Sequence, residues 1–309
     1  MPFLLPLAFL IGYLAAPVLS PLAFLLGPML VVMLLLTFLR LPLDDLRFHR
    51  THFVILGFQL LLAPIAYFAL LPWGTSVGLA ALIIALTPTA TAAPAMVSML
   101  RGDVAYVTVA SLLTNTTLCL LMPLALILFT GGTVRPDLAS TATMVLRVLA
   151  VVLGPLALAL VVRRLLPTLA TALTARPRLP FYLWSFTLAV ITAKTTTHLT
   201  DHPQPPAAIV TMAGVSALLC GVNFGLGRLL PRLATPRTQT PTHVMETAQS
   251  LGQKNTLFTI YVALSVLNSP LIALAPTFYI LWHNLYNSIQ LFRHRPKENP
   301  PPPEPTDSV

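Results

Sequence analysis

Charged side chains are scarce in this chain. Its 309 residues include 18 Lys and Arg and 9 Asp and Glu, so that 9% of it is charged, where a soluble globular domain has about 25%. So few charges cannot cover a water-facing surface, and 56% of the residues are hydrophobic. A soluble enzyme, a disordered chain and a coiled coil are excluded on that basis, and a collagen by the 14 glycines. Cysteine is almost missing. Cys119 and Cys220 lie far apart in apolar runs, which leaves no disulfide framework and no CxxC pair for a metal; both read as small buried hydrophobes. No Lys or Arg precedes Arg40, so the apolar N-terminus lacks the basic n-region of a secretory signal and reads as a first membrane span. HExxH and DDxxD patterns are absent, and Asp44-Asp45 sits in a basic loop. Neither an enzyme, nor a cofactor, nor a bound metal is expected. Nothing resembles the filter or charged ring of a channel.

What the chain has in abundance is apolar runs and proline, 30 of the latter. A membrane-crossing helix needs about 20 mostly apolar residues. Ten stretches qualify: 3–18, 22–40, 52–71, 76–99, 105–129, 141–162, 179–198, 206–230, 241–267 and 270–292. Turn signals separate them at Pro72-Trp73-Gly74, Gly131-Gly132, 201–206 and Asn268-Ser269-Pro270. The expected fold class is therefore an all-α polytopic membrane protein, and the lipid bilayer is its first partner.

The net charge of +9 would suggest nucleic acid in a soluble domain; here it follows topology. With the N-terminus inside, the cytoplasmic loops hold Arg40, Arg47, Arg50, Arg101, Arg163, Arg164, Arg176, Arg178, Arg228, Arg232 and Arg237, and the tail adds Arg293, Arg295 and Lys297. Arg135 falls outside, with Lys194 at an outer border. The positive-inside rule thus predicts a multi-pass protein of a cell (inner) membrane with both termini cytoplasmic. Ten spans divide at the outside loop around Gly131-Gly132 into 1–130 and 131–292, each with five helices. An odd number per half turns the second upside down, as in the inverted repeats of secondary transporters. Residues 293–309 form a Pro-rich polar tail that cannot bury apolar surface and reads as disordered.

Corresponding spans four and nine are both interrupted, and such broken, crossing helices hold the sites of transporters built this way. Span four reads Leu86-Thr87-Pro88-Thr89-Ala90-Thr91-Ala92-Ala93-Pro94. Each proline removes an N–H and clashes with the turn before it, which is expected to free carbonyls near 84 and 90. Span nine reads Glu246-Thr247-Ala248-Gln249-Ser250-Leu251-Gly252-Gln253-Lys254-Asn255-Thr256. A lysine in mid-span costs about 2.5–3.5 kcal/mol on insertion scales. Snorkelling does not relieve it, because the apolar run beyond Lys254 is too short to cross alone. Gln59, Ser111, Thr114 and Asn115 are further polar groups within spans.

These residues, taken in order, resemble the bile acid/sodium symporter (BASS, SBF-like) family along essentially the whole chain. In that family span four carries Pro-Gly-Gly-Thr-x-Ser-Asn followed by Gly-Asp; here Pro88, Thr91 and Gly102-Asp103 stand at matching spacing. Its Glu-x-Gly-x-Gln-Asn of span nine is met by Ser250-Leu251-Gly252-Gln253-Lys254-Asn255, its span-three Gln before Pro by Gln59 and Pro64, and its Trp-His-Asn by Trp282-His283-Asn284. The resemblance implies ten helices, a panel and a core domain, and alternating-access transport of organic anions. Substrate contacts then fall to Thr89, Thr91, Asn255, Thr256, His283 and Asn284.

The departures lie at the family's sodium sites. Where relatives place Ser-Asn, hydroxyls, Glu and Gln, this chain has Ala93, Pro94, Val107, Ser111, Ser250 and Lys254; Gln59 and Ser111 are the oxygens that remain, and a shift of one residue would bring in Gln253. Sodium beside an ammonium 4 Å away is opposed by about 4 kcal/mol at an effective dielectric of 20. The expectation is that Lys254 replaces the bound cation and favours a small organic anion, with sodium not required. Lys254 and Glu246 are the candidates for proton handling, and a sodium-coupled symporter with altered ligands is the alternative.

Overall fold

A computed structural model describes residues 4–39, 46–90, 92–132, 138–176, 179–201, 203–235, 238 and 240–293. Thr91 and the tail 294–309, to which the sequence assigns a substrate contact and a disordered segment, lie outside the described residues. The rest is helical, with no strand among the described residues.

The chain opens with α1 (Leu4–Leu14) and α2 (Ala16–Leu19), and a 3₁₀ segment at Ser20–Leu25 leads into α3 (Leu26–Phe38). Then come α4 (Arg50–Leu70), α5 (Thr75–Ala85), α6 (Ala93–Met99) and α7 (Val104–Phe129). The second half runs α8 (Leu138–Leu165), α9 (Pro167–Thr174), α10 (Leu179–Asp201), α11 (Pro206–Ala234), α12 (Val244–Gly252), α13 (Thr256–Tyr261) and α14 (Pro270–Arg293), with a π-helical turn at Val262–Val266. Turns signalled by sequence coincide with backbone that right-handed helices cannot use: Gly131, Gly132 and Asn268 all have positive φ.

Four helical runs are long and apolar enough to cross a membrane: Ala16–Phe38, Arg50–Trp73, Val104–Phe129 and Pro206–Leu233. A fifth is added if Leu153–Leu165 and Pro167–Thr174, bent by 118°, count as one. That bend has a local cause. Pro167 opens α9, and the residue before a proline is pushed out of helical conformation, as Leu166 is at φ −132° and ψ 58°. The chain is thus an all-α membrane protein. Helix α10 runs on to Asp201, three residues past the expected end of the span at 198, and Lys194 lies within it.

Two groups of helices are evident. In one, α1 and α2 pack on α10, and α3 packs on α8 and α10. Gly12 permits the first contact: a Cβ there would lie 2.4 Å from the Ala189 carbonyl oxygen. In the other group, α5 is enclosed by α4, α11 and α14, and Ala80–Ala85 are buried on every side. That explains a helix whose body, residues 77–85, carries no polar side chain and yet does not face lipid. Helix α11 lies against α12 at Gly227, where a Cβ would come within 2.6 Å of the Ala248 Cα. The groups touch where α8 meets α7 and where α10 meets α6 and α14.

One end of the second group is closed by aromatic and polar contacts. Asp103 caps α7 by accepting the Tyr106 N–H at 2.9 Å, and Glu246 accepts the Asp103 N–H at 2.9 Å. The Tyr106 ring stacks on His243 at 4.4 Å and lies 4.2 Å from His52. Its hydroxyl donates to Thr51 at 2.7 Å and shares a hydrogen bond with Thr247 at 2.9 Å. The starts of α4, α7 and α12 are thereby tied at one point.

Gly74-Thr75-Ser76-Val77-Gly78 matches the G-x-S-x-G spacing of a serine nucleophile. That motif needs a strand-to-helix turn. Here a 3₁₀ turn at Leu71–Trp73 precedes it and Ser76 sits in the first turn of α5.

Candidate functional site

The two interrupted segments meet in the interior. Pro88 lacks an N–H and disfavours helix at Thr87; α5 ends at Ala85, and α6 restarts only at Ala93 with Pro94 in its first turn. Helix α12 ends at Gly252 and α13 restarts at Thr256, with Asn255 accepting the Phe258 N–H as its cap. Between these helices the extended residues pair as an antiparallel bridge of Thr89 with Lys254. The Ala90 N–H donates to the Gln253 carbonyl at 2.8 Å, and the Asn255 N–H donates to the Pro88 carbonyl at 2.9 Å.

Side chains complete the crossing. The Lys254 ammonium donates to the carbonyl of Thr87 at 2.9 Å and to that of Ala85 at 3.4 Å. Lys254 is 1% exposed. The carbonyls left without helical partners are therefore not those expected. Ile84 and Ala90 receive N–H groups from Thr87 at 3.1 Å and Ala93 at 3.0 Å, because the local turns re-satisfy them. The oxygens of Ala85 and Thr87, next along the break, are the ones turned to the lysine. Gln59 joins from α4, its amide donating to the Thr87 carbonyl at 3.3 Å.

On the other side of the bridge, Thr89 donates to the Ser250 carbonyl at 2.6 Å and accepts from Thr114 at 2.9 Å. Asn115 donates to the Thr89 carbonyl at 2.9 Å and to Ser111, and Asn255 donates to Asn115 at 3.4 Å. Thr87 and Thr259 share a hydrogen bond across the break at 2.6 Å. The crossing is thus a polar plug most of whose groups satisfy one another, as buried polar groups generally do. The Gln59 Oε1 and Ser250 Oγ atoms are buried without a partner.

Beside the crossing lies a cavity of about 280 Å³, at the small end for ligand sites. One wall is built from the crossing and α14, including Gln253, Lys254, Asn255, Thr256, His283 and Asn284; the other is the face Trp184, Thr187, Ile191 and Lys194 of α10. It lies between the two groups of helices. Two lysines and no carboxylate line it among the described residues. His283 Nδ1 and Asn284 Oδ1, both buried, have no partner.

Of the residues assigned from sequence, Asn255, Thr256, His283 and Asn284 come together on this cavity. Thr89 instead lies in the crossing with its hydroxyl engaged. Of the positions that stand for a cation site, Gln59, Ser111, Ser250 and Lys254 gather around the break, while Gln253 lines the cavity and donates to Gln249 at 2.5 Å. Ala93, Pro94 and Val107 are buried and offer no side-chain oxygen. Glu246 is not with Lys254: it binds the Asp103 N–H at the far end of α12, about 12 Å away along a helix. A salt bridge between the two is not made, as their spacing of eight residues implies.

The sequence reading passed over Lys194, Trp184 and an amide cluster in which Gln249 donates to Asn287, at 3.2 Å, and to Gln290. A signal for the cluster was present. His283, Asn284, Asn287 and Ser288 recur at helical spacing in α14 and are all buried, a polar stripe that lipid would not tolerate. No model of a known protein family matches the chain, and no curated protein matches it.

Proposed function

We propose that this protein is an alternating-access secondary transporter of a small organic anion, with Lys254 in the place where sodium-coupled relatives of the BASS type bind a cation. The observation that carries the reading is the Lys254 ammonium on the Thr87 and Ala85 carbonyls, at 2.9 and 3.4 Å, inside the paired breaks. A bound cation in such a crossing is held by carbonyl and side-chain oxygens, and an ammonium presents the same charge with its own donors. Two lysines and no carboxylate on the cavity wall favour a negative substrate over a positive one. In this reading the chain has ten spans, both termini cytoplasmic, in two inverted halves whose broken fourth and ninth spans are α5–α6 and α12–α13. The α1–α3, α8 and α10 group acts as the panel against which the other group moves.

Counterflow tests it. Protein reconstituted in liposomes preloaded with a mixture of organic anions is expected to accumulate labelled members of that mixture without sodium, and replacement of Lys254 is expected to abolish any pH dependence of uptake. Uptake that is linear in concentration and shows no counterflow would refute a carrier. A second reading, sodium coupling through altered ligands, draws support from the unpartnered Gln59 Oε1 and Ser250 Oγ; uptake that requires sodium would favour it.

A further inference from the structure

The Lys254 ammonium is already engaged by two backbone carbonyls, so it sets the potential of the cavity but has little hydrogen-bonding capacity left for a ligand. Lys194 differs. It lines the same cavity from α10, and among the described residues it has neither a hydrogen bond nor an ion pair. Its neighbours on that wall are Trp184, Thr187 and Ile191. The spacing i, i+3, i+7, i+10 places all of them on one face of the helix. At the opposite end of that face the Trp184 indole N–H is buried without an acceptor, although the residue is 5% exposed.

We infer that Lys194 is the residue that receives the negative group of the substrate, and that the cavity takes a slender amphipathic monoanion lying along α10, its apolar tail against the Trp184 side chain. The inference rests on the organic-anion reading above. Ten residues of helix separate the two ends, about 15 Å. The wall between them is Thr187, whose hydroxyl donates to the Leu183 carbonyl, and Ile191, so the middle of the ligand meets apolar surface. A volume near 280 Å³ suits a medium-chain or aryl-alkyl carboxylate better than a steroid-sized one.

The probes are octanoate and 3-phenylpropionate, each against its uncharged primary amide, titrated calorimetrically into the full chain in nanodiscs. The wild type should bind each carboxylate at least about tenfold more tightly than its amide, the worth of a hydrogen bond to a charged group. Lys194→Met should reduce that preference to about threefold or less, and Lys194→Arg should restore most of it. Lys194 is exposed to the cavity, and unchanged melting temperatures will certify both variants as folded. A Lys194→Met protein that keeps the full preference overturns the assignment while the anion reading stands. A wild type without preference, or without binding to any probe, overturns the slender-anion assignment; counterflow with the mixed anions then decides separately whether the transport reading falls with it.

Discussion

Replacing Lys254 with methionine keeps all but the last atom of the side chain's length and removes its charge. The Ala85 carbonyl then has no donor, and the Thr87 carbonyl keeps only the Gln59 amide at 3.3 Å. An orphaned buried polar group costs about 1–3 kcal/mol. The partial loss at Thr87 adds to this and the recovered desolvation cost of an ammonium that is 1% exposed offsets it, so the net loss stays at about 1–3 kcal/mol. With an unfolding entropy of about 2.1 cal/mol/K per residue, the 309 residues give about 0.65 kcal/mol/K, and the melting temperature should fall by about 2–5 °C. Intrinsic tryptophan fluorescence in detergent follows the transition, in sodium chloride and in choline chloride at equal ionic strength. A sodium site at 100 times its Kd would stabilise the fold by about 2.7 kcal/mol. The wild type is expected to melt at the same temperature in both salts. If sodium raises its melting temperature by several degrees, or if Lys254→Met melts like the wild type, the lysine is not the cation of the crossing.

Three further variants probe the frame around it. Thr89→Val leaves the Ser250 carbonyl without its 2.6 Å donor and should cost about 1–3 kcal/mol, seen as a lower melting temperature. Gly227→Ala forces a Cβ to within 2.6 Å of the Ala248 Cα; overpacking of that kind costs about 1–3 kcal/mol, and an unchanged midpoint would mean α11 and α12 stand further apart than described. Tyr106→Phe removes a hydroxyl bonded to Thr51 and Thr247 at 2.7 and 2.9 Å but keeps the stacked ring, so a loss of about 1–2 kcal/mol is expected in the same assay.

Much of the scaffold could be read from residue types. Pro88, Pro94 and the polar run around Lys254 mark the interruptions, because proline withdraws an N–H and a lysine in mid-span needs a partner. Which partners it takes could not be read. The turn formed by Thr87 satisfies Ile84, and the turn formed by Ala93 satisfies Ala90, so the carbonyls that reach the lysine are those of Ala85 and Thr87. Lys194 was counted with the outer border although the expected span 179–198 already contained it; α10 continues through it to Asp201, and a cavity wall, unlike lipid, accepts it. Span counting is affected by the same local breaks. The segments read from sequence as spans four and nine appear as helices of 11 and 7 residues and of 9 and 6 residues, none of them long enough to cross a membrane alone.

An ion held in a binding site has a chemical potential fixed by the solution on each side; an ammonium on a side chain has none. Lys254 cannot be diluted away, exchanged for potassium or competed off by choline, so the joint between the two broken helices is assembled at any salt composition in which the chain is folded. Its occupancy is one by covalent connection. If the chain is the carrier proposed above, the concentration difference of an inorganic ion has no point of entry at this joint, and free energy for uphill movement has to arrive through a proton, through a counter-substrate, or through sodium bound elsewhere.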